Sequence, residues 1–311
     1  MRVVFLGTPE FAVPSLKALA ARHQVVAVYT QPDRPKGRGN QLAESPVKIA
    51  ARELGIEVLQ PERLRRAENL PRLESWRADL MVVVGYGQII PQNIIDLPRF
   101  GILNVHASLL PKYRGAAPIQ WAIANGETET GVTIMQIDAG LDTGDMLLKK
   151  SLPIGLEETA PELSVRLAPL GAELLLEAID QIAAGTVVRE PQRNEDATLA
   201  PILKKEDGLV DWRLRAEEIY HRWRGFNPWP GAYTFFRNQQ MSLAEMQLAK
   251  RASGGKCGHI WSENRHLYVT CGGKTTLELL GVQLAGKRHM KALPFLNGYH
   301  LVESEMLGEK P

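Results

Sequence analysis

Short apolar runs alternate with amphipathic stretches through the first half of the chain. Val3–Gly7, Val25–Tyr29, Glu57–Leu59, Leu80–Gly85 and Ile102–Val105 have the length and β-branched content of buried strands. Between them, Pro14–Arg22, Pro46–Leu54 and Leu64–Trp76 have helical spacing. Strand and helix in alternation predict a parallel sheet covered by helices. Further on, Ala116–Ala124 reads as a helix, Gly131–Asp138 as a strand, and Thr159–Ala184 as a long helix broken at Pro169. Val187–Leu203 has two prolines and no periodicity, which predicts a connection. From Gly208 the texture changes. A short amphipathic helix, Ala216–Arg224, and a rigid Pro228–Gly231 turn precede five strand-like segments: Ala232–Phe236, Met241–Ala249, Gly258–Trp261, His266–Cys271 and Thr275–Val282. Five short strands so close together predict a small barrel. The expected architecture is α/β: a Rossmann-like open parallel sheet domain at 1–188, a linker at 189–207, and an OB-like β-barrel domain at 208–311.

Composition narrows the class. The 311 residues are 44% hydrophobic and 23% charged, ordinary for a globular protein with two cores. Cys257 and Cys271 have no Cys-x-x-Cys or Cys/His spacing, so no structural zinc is indicated and a reducing compartment is expected. The apolar run after Arg2 is too short for a signal peptide, and no stretch reaches the length of a spanning helix. A cytoplasmic protein without membrane attachment is expected, with no apolar stripe that calls for more than a monomer. The net charge of +2 hides an asymmetry: residues 1–211 hold 23 Lys and Arg against 27 Asp and Glu, whereas 212–300 hold 13 against 5. A basic second domain suits a phosphate backbone, although a solvated basic surface would look the same in composition.

Candidate chemistry gathers in GILNVHASLLPKYRG, residues 101–115. A buried strand there delivers Asn104 and His106 at alternate positions, hence on one face, at the carboxyl end where open α/β sheets place their ligands. Downstream, AGLDTGD at 139–145 is a tight loop with two carboxylates, Asp142 and Asp145. Either could orient an imidazole, and spacing does not choose between them; both could equally be turn residues. The first turn, GTPEFAVPSL, lacks the Gly-x-Gly-x-x-Gly cradle, which argues against a dinucleotide site. Gly85-Tyr86-Gly87-Gln88 closes another strand with backbone that a flat ligand can approach.

These stretches, with PDRPKGRG at 32–39, VVVGYGQIIP at 82–91, NVHASLLPKYRGAAPIQWA at 104–122 and GFNPWPGAYT at 225–234, resemble the folate-dependent formyltransferase family, in particular its branch acting on methionyl initiator tRNA. The resemblance runs nearly the full length. It implies transfer of the formyl group of 10-formyltetrahydrofolate, a co-substrate, to the α-amino group of methionyl initiator tRNA, giving N-formylmethionyl-tRNA for translation initiation without a metal. It implies that Asn104, His106 and Asp142 are catalytic. The folate would lie against Val84, Gly85, Tyr86, Gly87, Gln88 and Ile89, and against Ser108, Leu109, Leu110 and Pro111. Residues 32–45 become an inserted basic loop meeting the acceptor end of the tRNA through Arg34, Lys36 and Arg38. Such a loop, rich in proline and glycine, is expected to be mobile until it meets RNA. Many members carry a lysine after GRG where this chain has Asn40, which removes one cation. A sugar-nucleotide formyltransferase, an NAD-dependent oxidoreductase and a non-catalytic RNA-binding protein are the alternatives; the basic insertion, the missing glycine fingerprint and the intact Asn-His-Asp set argue against them in turn.

Overall fold

The computed structural model describes residues 1–36 and 41–308. They divide into two compact units, the first made of Met1–Ile119, Glu129–Ile154 and Glu162–Ile202, the second of Gln120–Thr128, Gly155–Pro161 and Leu203 onward.

The first unit is built on a seven-stranded sheet whose chain-order members are β1 (Arg2–Gly7), β2 (Gln24–Tyr29), β5 (Val58–Leu59), β6 (Leu80–Val84), β7 (Ile102–His106), β8 (Glu129–Gln136) and β9 (Met146–Pro153). A separate two-stranded hairpin, β3 (Arg34–Lys36) and β4 (Gln41–Ala43), lies between β2 and β5 in sequence. The spatial order is β5-β2-β1-β6-β7-β8-β9. The first five strands are parallel, and the inner three, β1, β6 and β7, are buried along most of their length, as largely apolar runs predict. β8 and β9 join antiparallel, so the sheet is mixed rather than wholly parallel. β9 escapes sequence reading because it is an edge strand with exposed Lys149 and Lys150, which erase the alternation and guard the edge.

Helices α1 (Val13–Arg22) and α2 (Pro46–Glu53) follow their patterns, the latter capped by the Ser45 hydroxyl, which accepts from the Lys48 N–H at 3.1 Å. The helix expected over 64–76 shrinks to α3 (Leu70–Ser75), because Pro71 is suited only to a first turn. Short α4 (Gln92–Ile95) and α5 (Pro118–Ala124) flank β7 in sequence. The long α6 (Ala160–Ala184) passes through Pro169 unbroken. Pro169 faces solvent, where water can serve the Val165 carbonyl that the ring leaves without an amide.

The second unit is an antiparallel sheet of β10 (Tyr233–Phe236), β11 (Gln239–Leu248), β12 (Ile260–Glu263), β13 (His266–Thr270) and β14 (Thr276–Leu284), with short β15 (Met290–Lys291) beside β14. It is flanked by α7 (Ala216–Gly225) and α8 (Ala292–Gly298). The strand path β10-β11-β14-β13-β12 leaves two edges, and a late segment joins them: Leu307 bridges Phe236 and Met306 bridges His259. Arg237 fastens this segment, donating to the buried Glu305 carboxylate at 2.6 Å and 3.1 Å. Inside lie Trp212, Phe236, Met241, Leu243, Leu267, Leu279 and Phe295.

Arg224, on α7, is 2% exposed. Its Nη1 donates to the carbonyls of Gly155 at 3.0 Å and Glu158 at 2.8 Å, and its Nη2 donates to His221 Nδ1 at 2.7 Å. Guanidinium only donates, so His221 must be neutral with its proton on Nε2. Burial, reinforced by the Arg224 charge and opposed by Glu217, holds the His221 pKa below its ordinary value. The unfolded chain therefore takes up the proton first as pH falls, and stability present above about pH 6.5 drains away through the lower folded value. Thermal denaturation between pH 7.5 and 5 should show His221→Asn, which keeps an acceptor for Arg224, losing less stability on acidification than the parent. Parallel curves would remove His221 from this role.

Candidate active site

β7 sets the geometry. Asn104 pairs with Val83 of β6 on one side and Met135 of β8 on the other, and His106 lies opposite Thr133. Being two residues apart, they leave the sheet on one face, and both turn to a single carboxylate. Asn104 Nδ2 donates to Asp142 Oδ1 at 3.2 Å, and His106 Nδ1 stands 3.7 Å from Asp142 Oδ2. His106 is 5% exposed, and its Nε2 donates to the Tyr113 carbonyl at 2.9 Å. A carbonyl can only accept, so the proton of the neutral ring resides on Nε2, and Nδ1 is the atom left facing Asp142 with a lone pair.

Asp142 occupies a left-handed backbone conformation with φ of 50°. Asp138 closes the loop beneath it, accepting from Gly140 N at 3.0 Å and from the Thr143 hydroxyl at 2.7 Å. The carboxylate is also gripped from the loop after β7, where Gly115 N donates to Oδ2 at 2.8 Å. Of the two aspartates that spacing could not separate, Asp142 is the one brought to Asn104 and His106; Asp145 offers its backbone carbonyl to Gln136 N at 2.8 Å.

Sequence reading missed the support for this loop. The stretch read as a linker lies against residues 111–117. Arg114 N donates to Thr198 O, Ala200 N to Arg114 O, and Tyr113 N to the Thr198 hydroxyl at 2.9 Å. From the same stretch, Gln192 donates to the carbonyls of Asp142 and Gly144 and accepts from Arg114. Nothing in its composition marks it, since these bonds are long-range and mostly to backbone.

The proposed folate-lining residues divide by exposure. Val84, the Tyr86 ring and Leu110 are core. Ser108 is fully buried, its hydroxyl donating to Lys112 O at 2.6 Å. Gln88 is spent on the loop, accepting from Leu64 N at 2.6 Å and donating to Pro61 O at 3.0 Å. Gly85, Gly87 and Ile89 are exposed, Leu109 and Pro111 half-buried. Positive φ at Gly85 (58°) and Gly87 (77°) turns backbone outward, a surface a flat heterocycle can approach. The Tyr86 hydroxyl is buried without a hydrogen-bond partner, and burial pushes its pKa well up.

Of the three basic candidates, Arg34 is exposed on β3 and Lys36 ends that strand, whereas Arg38, like Asn40, lies outside the described residues. The described ends of this insertion are paired as strands, Arg34 with Ala43 and Lys36 with Gln41, rather than left as open loop. Its base is clamped by the buried Lys48 of α2, which pairs with Asp33 on one flank and with Glu44 at 3.1 Å on the other.

Asn104 and His106 near the end of an inner strand of an open α/β sheet, facing one carboxylate from the loop after β8, form a cluster able to hydrogen-bond and to move a proton. The chain belongs to the formyl transferase family: the "Formyl transferase" profile matches residues 1–179, and "Formyl transferase, C-terminal domain" matches residues 202–300. It is 56% identical over 310 residues to the methionyl-tRNA formyltransferase of Solibacter usitatus, covering 99% of each chain. To the methionyl-tRNA formyltransferase of Koribacter versatilis it is 53% identical over the same length, again covering 99% of each. Among solved structures, its fold is similar to WlaRD, a sugar 3N-formyl transferase, with a TM-score of 0.67 at 20% identity over 93% of this chain and 99% of that one. It is also similar to an N-formyltransferase of Helicobacter canadensis, with a TM-score of 0.66 at 19% identity over 89% and 98%.

Gly115 has φ of 124°, and a Cβ there would come 2.6 Å from the Ala200 carbonyl oxygen. Gly115→Ala should therefore shift the backbone N–H that donates to Asp142 Oδ2. The expected result is a stability loss of about 1–3 kcal/mol in denaturant unfolding, with a larger proportional loss of turnover. Parent-like unfolding and turnover would show the loop to be more compliant than its contacts indicate.

Proposed function

We propose that the chain formylates the α-amino group of methionyl initiator tRNA in the cytoplasm, taking the formyl group from 10-formyltetrahydrofolate, with Asn104, His106 and Asp142 as its catalytic residues. What supports this reading is the convergence of β7 and the loop after β8 on one point, in a chain whose full-length relatives bear that activity in their names.

The amine attacks the formyl carbon, a C–N bond forms, and the carbonyl oxygen becomes an oxyanion. The bond from that carbon to the folate nitrogen then breaks, while the attacking nitrogen loses a proton and the leaving nitrogen gains one. An α-amino group titrates near pH 8, so part of it is already neutral and little base strength is required. Asn104 spends one N–H on Asp142 and has a second to offer the oxyanion. His106 Nδ1 is the free ring nitrogen, and a proton taken there points at the Asp142 carboxylate. Asp142 thus aligns both partners through one carboxylate. The folate ring lies along the exposed backbone of Gly85 and Gly87 beside Ile89, and the basic insertion carrying Arg34, Lys36 and Arg38 meets acceptor-stem phosphates.

The test is transfer of labelled formyl to charged initiator tRNA, with an amino-sugar nucleotide as the control acceptor. Transfer to the sugar and not to the tRNA would overturn the assignment. His106→Ala should reduce turnover on the order of 10²–10⁴-fold with tRNA affinity unchanged. Near-parental turnover would take His106 out of the mechanism. Between the loop carboxylates, Asp142→Asn should be the crippling change and Asp145→Asn the mild one; the opposite order would show that the wrong aspartate has been assigned.

A further inference from the structure

The catalytic reading leaves the conformation of Asp142 unexplained. A non-glycine residue at φ of 50° is held against a steric cost of about 1–2 kcal/mol, so something outside the residue must fix it. The side chain of Gln192 does so. Its Nε2 donates to the Asp142 carbonyl at 2.9 Å and to the Gly144 carbonyl at 2.7 Å, spanning the turn that carries the carboxylate. Its Oε1 accepts from Arg114 Nε at 2.9 Å. The reversed amide would set an oxygen against two carbonyls and a donor against a guanidinium, so the partners permit one orientation. Arg114 is itself 6% exposed and fixed at both ends: Nη1 donates to Asn194 Oδ1 at 3.0 Å, while its backbone pairs with Thr198 and Ala200.

The consequence is a relay from Arg114 through Gln192 to the backbone of Asp142, running beside the Gly115 N–H that grips the same residue's carboxylate. The relay fixes where the carboxylate points without touching it. We propose that Gln192 is a positioning residue for the transfer reaction: it holds Asp142 in its left-handed conformation so that one carboxylate meets Asn104 and His106 together. The inference rests on the role given to Asp142 above.

Two variants and a double-mutant cycle test it. Gln192→Leu removes the donors; Gln192→Glu keeps the side-chain volume and the pairing with Arg114 but offers neither carbonyl a donor when ionised. Both should lower kcat on the order of 10–100-fold, with KM for charged tRNA unchanged. In an Asp142→Ala background, Gln192→Glu should cost nothing further, because the residue it positions is gone. An equal additional loss in that background would overturn the inference while leaving the catalytic role of Asp142 intact, as would a defect confined to KM. Full turnover by Asp142→Ala alone would overturn the role of Asp142, and the inference with it.

Discussion

The candidate site of the first unit depends on a single carboxylate having the right neighbours. Asp142 receives an N–H from Asn104 on one oxygen and from Gly115 on the other, with the His106 ring 3.7 Å from the second. These groups come from β7, from the loop after it, and from the loop after β8, so the site exists only when all three are in register. β8 adds antiparallel to β7, setting Gln136 opposite Leu103 and Met135 opposite Asn104, and the loop that follows returns Asp142 to Asn104 and His106.

Hydrophobic patterning told most about what is buried on both sides. β1, β6 and β7 read as apolar runs because they are buried along most of their length, and the alternation of Asn104 and His106 within such a run already pointed to a shared face. The basic character of the second unit and its strand spacing were legible for the same reason, since charge and short β-branched segments are local properties. Less visible were features fixed by distant partners. Lys149 and Lys150 concealed β9, and Pro71 truncated α3 from within an otherwise helical pattern.

The site shows the same division. Residue type and strand position were enough to single out Asn104 and His106, and to offer two aspartates. Choosing between Asp142 and Asp145 needed the backbone turn at 142, a matter of φ rather than composition. Gln192 and Thr198 could not be found, because they act through carbonyls and amides of residues far away in sequence. Among the residues expected to line a folate, Ser108, Tyr86 and Gln88 are turned into their loops and hydrogen-bonded there, whereas the Gly85 and Gly87 backbone and Ile89 face outward.

The way the second unit closes bears on how it is made. Phe236 and His259 belong to the two edges of the sheet, and their partners are Leu307 and Met306, almost fifty residues beyond His259. While the chain emerges in order from its N-terminus, the outer edges of β10 and β12 stay open until those two residues have been added. The first unit has no such delay, since its last pairing partners, Thr198 and Ala200, precede the second unit's strands. Synthesis thus yields a completed α/β unit first, followed by a sheet with open edges, and a chain cut short before Met306 carries an exposed template for association with its own copies.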